Sequence, residues 1–299
     1  MNGRVMMKVI VAYGREPEIN CKQLIEAFSK AGAEVIPASI ADLSAFFGGG
    51  GERFFVRNDE ITGADACVVR SLGRGRHESL TRRFSLLAHM QKSGTLVVNP
   101  PEAFQLCRDK YRSLIALQGE GVRVPRTIVT ENALVAHVFS KRFKRFVCKP
   151  LIGSMGFGSV AYEDHDLAYN EFRLLERLGL PIYVQEFIEN PGRDTRVLVL
   201  GDKPLSAYHR VAPPSGWKTN VARGGKVEIG QVGAEIVALA LKATKIMGLY
   251  YAGVDIIESE KGPYVIEVNA SPSWQGAQRV TDKNIPEAIA HYIINIARK

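Results

Sequence analysis

From Lys8 to Tyr13 the chain reads Lys-Val-Ile-Val-Ala-Tyr. The run is apolar, β-branched and too short for a helix, so it predicts a buried strand. Between residues 21 and 31 the apolar positions Leu24, Ile25, Phe28 and Ala31 recur at helical spacing, and Gly32 follows. That predicts a helix with a glycine stop. The alternation continues with strands over 34–40 and 66–70, a helix over 77–93 stopped by Gly94, and a strand over 95–99. Strands that alternate with helices predict a parallel sheet covered by helices. Gly48–Gly51 reads as a mobile loop. It lacks the Lys-Ser/Thr of a P-loop, and Gly73-x-Gly75 lacks the third glycine of a dinucleotide fingerprint.

Pro100-Pro101 interrupts the pattern. A helix is expected over 102–118. A compact unit follows, with strands over 126–130, 145–149, 159–162 and 182–188 and helices over 132–143 and 166–178. Beyond it, strands over 195–200 and 205–211 flank a Gly201-Asp202 turn. A helix over 233–247 precedes strands over 253–258 and 264–269. The fold class expected is α/β. It comprises a Rossmann-like N-terminal domain (1–100) and a second domain (101–299), itself divided into a lid (about 125–184) and a C-terminal α+β part with an antiparallel sheet (about 185–299).

Composition narrows the function. The chain is 46% hydrophobic and 23% charged, which suits a buried core without staples. No apolar run approaches the ~20 residues needed to span a bilayer. Lys8 interrupts the first apolar run and no small-residue cleavage site follows, so a cytoplasmic protein without a membrane partner is expected. Cys21, Cys67, Cys107 and Cys148 are widely spaced, which favours reduced, buried thiols over a zinc site. His89 and His137 fall in helical patterns and read as packing or surface residues. The formal net charge of +8 admits nucleic acid or an acidic substrate. No nucleic-acid motif is visible, so an anionic substrate with ATP is favoured. The cluster Lys141, Arg142, Lys144 and Arg145 reads as a solvated face.

Four elements carry chemistry. Lys149-Pro-Leu-Ile-Gly153-Ser154-Met-Gly156-Phe-Gly158 sets a lysine at a strand end before a glycine loop, a means of closing backbone N–H groups around phosphate. Taken alone it is as consistent with a glycine-rich hairpin. Tyr183-Val-Gln185-Glu186-Phe187-Ile188 ends a strand with an acid that could meet adenine and ribose. Asp255 and Glu267 interrupt apolar strands, and Glu267 and Asn269 share a strand face. Such hard oxygen donors suit Mg. Arg196 and Arg210 lie on hairpin partners, where their forks suit phosphate, while Arg193 reads as surface charge.

In order, the chain also shows Asp109-Lys110-Tyr-Arg112, Val124-Pro-Arg-Thr127, Lys149-Pro150, Gln185-Glu-Phe-Ile188, Gly192-Arg-Asp-Thr-Arg196, Thr219-Asn220-Val-Ala-Arg223-Gly224-Gly225, Gly253-Val-Asp255 and Glu267-Val-Asn269. This series resembles the RimK-like branch of the ATP-grasp superfamily, nearest to its archaeal members that glutamylate tetrahydromethanopterin or a deazaflavin coenzyme. The resemblance covers about residues 95–280. The N-terminal hundred fit only generically. One loop departs from the common pattern: after Asn269 stands Ala-Ser-Pro-Ser-Trp274-Gln-Gly276. That loop is expected to contact substrate.

The resemblance implies an ATP-dependent ligase that activates a carboxylate as an acyl phosphate and joins it to an amine. Lys110 and Lys149 would contact ATP phosphates, with Ser154 and Gly156 in the lid loop. Glu186, Phe187 and Ile188 would hold adenine, with Asp194 near the ribose. Lys218, Thr219 and Asn220 would line the nucleotide and acyl-phosphate site. Asp255, Glu267 and Asn269 would hold Mg or Mn. Arg196 and Arg210 would act in catalysis, stabilising charge on the transferred phosphoryl group or the tetrahedral intermediate. L-glutamate and an acidic small-molecule acceptor are the expected partners, and a homo-oligomer is allowed. Glutamylation of a protein tail, ligation in amino-acid biosynthesis, a kinase and a non-catalytic nucleotide-binding module are the alternatives. Arg70, Arg74 and Trp274 are expected to select the acceptor.

Overall fold

The computed structural model describes residues 6–153, 156–214, 216–221 and 224–299. Ser154 and Arg223, named above, lie outside the described residues. The chain opens with β1 (Lys8–Tyr13), α1 (Ile19–Lys30) and β2 (Glu34–Ser39). A small antiparallel sheet follows, built from β3 (Leu43–Phe46), β4 (Arg53–Val56) and β5 (Asp59–Glu60). Then come β6 (Ala66–Val69), α2 (His77–Lys92) and β7 (Leu96–Val98). Strands β2-β1-β6-β7 pair in that order, all parallel, as the alternation predicts. The small sheet is new. Gly48–Gly51 lies in the connection between β3 and β4, where the sequence suggested only a loop.

The helix expected over 102–118 is two helices, α3 (Pro101–Arg108) and α4 (Lys110–Gly119). Asp109 breaks it. Its backbone is extended, and its carboxylate accepts from the N–H groups of Tyr111 and Arg112, capping α4. Arg108 and Lys110 consequently flank a corner.

The segment expected to form the lid has β8 (Thr127–Thr130), α5 (Ala133–Ser140), β9 (Phe146–Cys148), β10 (Val160–Tyr162), α6 (His165–Arg177) and β11 (Ile182–Glu186). Its strands run antiparallel in the order β10-β9-β11-β8. Ala136, Phe146, Ala168 and Phe172 form its core, against α5 and α6.

The last part contains β12 (Arg193–Leu200), β13 (Lys203–Val211), β14 (Lys226–Glu228), α7 (Ala234–Ile246), β15 (Tyr251–Ser259), β16 (Gly262–Asn269) and α8 (Ile285–Ala297). The sheet order is β14-β13-β12-β15-β16, antiparallel throughout. Side chains alternate across a strand. Val197, Val199, Val254 and Ile256 pack with Ile236, Ala240 and Ala243 of α7. Asp194, Arg196 and Asp255 therefore project from the opposite face.

One hydrophobic cluster crosses residue 100. Leu24 and Phe28 of α1 join Ile289 and Ile293 of α8, together with Val9, Leu198, Tyr251 and Trp274. Asn99, fully buried, adds polar clamps across the same joint. Its amide donates to the carbonyls of Tyr251 (2.8 Å) and Ala270 (2.6 Å), and its oxygen accepts from Tyr250 N–H at 2.7 Å.

Candidate active site

The register of the five-stranded sheet builds a charge ladder. Asp194 stands opposite Arg210, and Arg196 opposite Asp255. Asp255 in turn stands opposite Glu267, and Gly253 opposite Asn269. Arg210 forks onto both Asp194 oxygens at 2.8 and 2.5 Å and reaches Asp255 at 3.1 Å. Arg196 forks onto Asp255, one bond being 2.7 Å from Nη2 to Oδ2. Burial opposes the charges of Arg196, Arg210 and Asp255. For Asp255, the Arg196 and Arg210 guanidinia outweigh burial and hold the carboxyl below its ordinary value. For Arg210, Asp255 and Asp194 outweigh burial and hold the guanidinium above its ordinary value. Thr219 donates to Asp194 at 2.7 Å, which ties the 218–220 segment to this ladder.

The lid supplies the facing wall. Lys149, just past β9, donates to Gln185 Oε1 at 2.7 Å. Gln185 is buried and donates to Thr127 and Tyr183, so the lysine sits on a fixed support. Burial, with a smaller push from Lys110, lowers the Lys149 ammonium to about 8, while Glu267 and Asp255 act against that shift. Lys110 donates to the Gly153 carbonyl at 2.9 Å and stands 3.9 Å from Glu267. Lys218 donates to the Gly156 carbonyl at 3.0 Å. Gly156 has φ +68°, and a Cβ there would fall 2.6 Å from Asn220 Oδ1. Only glycine lets the lid loop approach Asn220 this closely.

These groups enclose one pocket of roughly 970 Å³, open space included. Lys110, Lys149, Gly156, Lys218, Thr219 and Asn220 line it. So do Glu186, Phe187 and Ile188 at one end, and Asp194, Arg210, Asp255 and Glu267 at the other. Arg196 lies behind Asp255, and Asn269 lines an adjoining cleft that shares Glu267. The Glu186 side chain is occupied: Arg126 pairs with both its oxygens at 2.8 Å. An aromatic wall stands at this end. Phe187 meets Trp217 edge to face at 5.8 Å, and the Arg145 guanidinium lies 3.8 Å over the Phe187 ring. These rings offer apolar surface against which a flat base can pack.

The donor set suits Mg in a specific way. Glu267 is the half-exposed carboxylate facing the pocket. The amide of Asn269 donates to the Gly253 carbonyl at 3.3 Å, which leaves its oxygen available. Asp255 already answers two arginines. Mg commonly takes one or two carboxylates and completes its shell with phosphate and water, so this sparse set fits.

The basic loop after β6 needs correction. Arg70 is 6% exposed. It is bound to Glu18 (3.0 Å), the Tyr251 hydroxyl (3.2 Å) and the Pro272 carbonyl (3.2 Å), and lies 4.6 Å over the Trp274 ring. Trp274 is fully buried and donates to Gln23 at 2.9 Å. Both hold α1 against the loop after β16: Trp274 has no surface left for an acceptor, while Arg70 borders the neighbouring cleft with its guanidinium already shared among these partners. Arg83 donates to the Leu72 and Arg74 carbonyls, and Arg82 to that of Leu43. Of the basic loop, Arg74 and Arg76 remain exposed.

Sequence reasoning missed several pocket residues. Arg193 lines the pocket with its buried Nε unpaired among the described residues, and is not surface charge. Trp217 also escaped notice, and Arg145, read as part of a solvated face, instead lies over the Phe187 ring. The signal available was an aromatic or basic residue abutting each quoted motif. The four cysteines are buried, and burial pushes the Cys21 thiol up to about 11. His89 and His137 stand beside Glu52 and Asp166, and no cluster of three His, Cys, Asp or Glu forms among the described residues.

A parallel-sheet domain, an antiparallel lid and a five-stranded sheet closing on a cationic pocket define an ATP-grasp enzyme. Solved structures share the fold. The ATP-grasp ligase PsnB complexed with a minimal precursor superposes with a TM-score of 0.77 at 23% identity, covering 97% of this chain and 99% of that one. A RimK domain protein ATP-grasp from Sphaerobacter thermophilus gives 0.73 at 23% identity, covering 95% and 98%. Sequence is more specific. The model of the RimK-like ATP-grasp domain matches residues 107–293. A tetrahydromethanopterin:alpha-L-glutamate ligase of Methanocaldococcus jannaschii is 35% identical, covering 78% of this chain and 80% of that protein. A probable alpha-L-glutamate ligase of Haemophilus influenzae is 34% identical, covering 70% of each. The chain belongs to the RimK-like ATP-grasp family.

Proposed function

We propose that this ATP-dependent ligase adds L-glutamate to an acidic small-molecule acceptor through an acyl phosphate. The observation that carries the reading is the meeting of Lys110, Lys149 and Lys218 with Glu267 in one pocket walled by Phe187 and Trp217. An acceptor carboxylate oxygen attacks the γ-phosphorus of ATP, and ADP leaves. The amine of glutamate then attacks the acyl carbon, the C–N bond forms, phosphate departs and the amine loses a proton. A carboxylate resists amines because its oxide leaves poorly, so phosphorylation is the needed step.

The chain's own part is position and charge. Phe187, Ile188 and Trp217 clasp the base. Lys149 and Lys110 neutralise phosphate oxygens from two walls. Lys218 and Asn220 fix the lid loop at Gly156 and hold water away from the acyl phosphate. Glu267 and Asn269, with charge from Asp255, would hold Mg, which screens the phosphate oxygens when bound. Mn is an alternative occupant. Arg210 and Arg196 are held by Asp194 and Asp255 near the developing charge. Support for the acceptor class comes from the relatives named for tetrahydromethanopterin. The protein's net charge of +8 also favours an acidic partner.

The test is incubation with ATP, Mg, L-glutamate and a cell extract, followed by mass analysis. A glutamyl increment on a small molecule supports the proposal. An increment on a protein replaces the acceptor. ADP release that does not depend on the amine points to a kinase and overturns the ligase mechanism.

A further inference from the structure

A second cleft adjoins the nucleotide pocket and shares Gly153 and Glu267 with it. Its walls come from four parts of the chain: Ser71–Gly73 after β6, Phe104 and Arg108 of α3, Ile152 and Gly153 of the glycine loop, and the end of β16 with Ala270 and Ser271. Two guanidinia reach it. That of Arg70 is already shared among Glu18, Tyr251 and Pro272. That of Arg108 is different. Arg108 is the last residue of α3, half-buried, immediately before the Asp109 break. Its guanidinium makes no hydrogen bond or ion pair with any described residue. Burial lowers its pKa, and no carboxylate offsets that cost.

Three arginines of the site show the contrast, while Arg193, whose buried Nε is unpaired among the described residues, lines the nucleotide pocket and not this cleft. Arg196, Arg210 and Arg126 each fork onto a carboxylate of the chain itself. A half-buried guanidinium with no protein partner keeps its whole planar fork free for an anion brought by a ligand. The cleft meets the phosphoryl side of the pocket at Glu267, so a substrate acid reaching Glu267 from this side passes Arg108.

We propose that Arg108 is a specificity residue that pairs with the spectator carboxylate of a dicarboxylic substrate while the reacting group lies at the Glu267 rim. This rests on the ligase reading above. The same chemistry has two sources: the acceptor acid, which brings a second carboxylate beside the activated one, or the incoming dicarboxylic amine. Arg108 acts here by charge and by its planar fork, which matches two carboxylate oxygens.

The experiment titrates glutarate, butyrate, L-glutamate and L-glutamine into the full chain loaded with Mg and ADP. Wild type, Arg108→Met and Arg108→Lys are compared by calorimetry, and thermal melts report folding separately. A charge-assisted pair is worth about 1.5–3 kcal/mol, so Arg108→Met should weaken the responsive dicarboxylate by ~10–100-fold. Arg108→Lys should restore part of it. Butyrate and glutamine should bind wild type and Arg108→Met alike. Loss confined to glutarate assigns the acceptor acid, and loss confined to glutamate assigns the amine. Equal dicarboxylate binding by wild type and Arg108→Met, or no dicarboxylate binding by wild type, overturns the proposal. Failure of the ligase reading looks different: wild type then consumes ATP with no glutamyl increment, whatever Arg108 does. A glutamyl increment formed at the same apparent KM by wild type and Arg108→Met sinks the Arg108 assignment alone.

Discussion

At the scale of single residues, the site pairs nearly every charge before any substrate arrives, and the exceptions carry the predictions. Lys149 rests on a neutral amide, not a carboxylate, and burial brings it to about 8. Phosphate oxygens nearby favour the ammonium, so its pKa in the nucleotide complex lies higher. Nucleotide binding should therefore take up a proton near pH 8.5 and weaken as pH rises above about 8, by at most ~10-fold per pH unit. Calorimetry in two buffers of different ionisation enthalpy measures that proton. Equal heats in both buffers would remove Lys149 from phosphate contact, and Lys149→Ala should abolish the uptake together with ligation. Glu267 makes the second case. Its carboxylate faces the pocket, with Lys110 3.9 Å away as its ion-pair partner. Glu267→Ala should raise the Mg concentration needed for half-maximal turnover by ~10-fold or more, since a charged ligand is lost. ADP binding without metal should change far less. An unaltered Mg titration would mean that Glu267 is no ligand. Arg196 differs from both because its partner is buried. Arg196→Ala leaves Asp255 with Arg210 alone, and removing one member of a buried pair costs about 3–5 kcal/mol. The variant should thus lose stability in urea as well as activity. Retention of wild-type stability would show that the Arg196–Asp255 pair contributes nothing to the fold.

At the scale of elements, what was legible depended on how local the cause was. Strands β1, β12, β13, β15 and β16 announced themselves by short apolar runs, and the β12–β13 and β15–β16 pairings follow from adjacency, whereas β12–β15 and β1–β6 do not. Even the approach of Asp255 to Glu267 was readable, because two strands joined by a tight turn must pair antiparallel. The three-stranded sheet β3-β4-β5 was not. Its strands are short, only Leu43 and Phe54 among their side chains are buried, and the glycines between β3 and β4 mask a hairpin signal. The break at Asp109 was also hidden, since the helical period runs through it and only the cap marks it. That cap invites a prediction. Asp109 accepts two N–H bonds that begin α4 and set the corner between Arg108 and Lys110. Asp109→Ala should cost about 0.5–2 kcal/mol in stability. It should also raise the apparent KM for ATP, because Lys110 loses its fixed start. Asp109→Asn, which still offers a side-chain oxygen, should recover most of both. A Gly156→Ala variant tests the lid in the same spirit, as its Cβ would collide with Asn220.

At the scale of the whole molecule, the parallel sheet and the antiparallel sheet behave as one body because loops far apart in sequence lock together. Helix α1 carries the lock. Asn20 and Gln23 accept from Gln275 Nε2, each at 2.9 Å, and Gln23 also accepts from the Trp274 indole. Glu18, the cap of α1, holds Arg70, whose guanidinium covers the Trp274 ring. No periodicity in the sequence points to such a joint, since its members are separated by most of the chain. The sequence invited the opposite conclusion, that the unusual Trp274 loop selects the acceptor. The structure makes Trp274 a buried strut. It packs in the cluster that holds α8 to α1, with none of its surface exposed. Trp274→Ala should therefore destabilise the protein by about 3–5 kcal/mol, the usual cost of deleting a buried large aromatic side chain. The loss should be global, since the cluster spans both sheets, so one cooperative transition should shift to lower denaturant with little change in slope. Trp274→Phe keeps most of the volume but removes the indole donor to Gln23, and should lie between. The preference between two acceptors, measured below the new melting point, should stay that of the wild type. A variant of normal stability with altered acceptor preference would return Trp274 to the substrate site and leave the joint to Asn99 and Arg70.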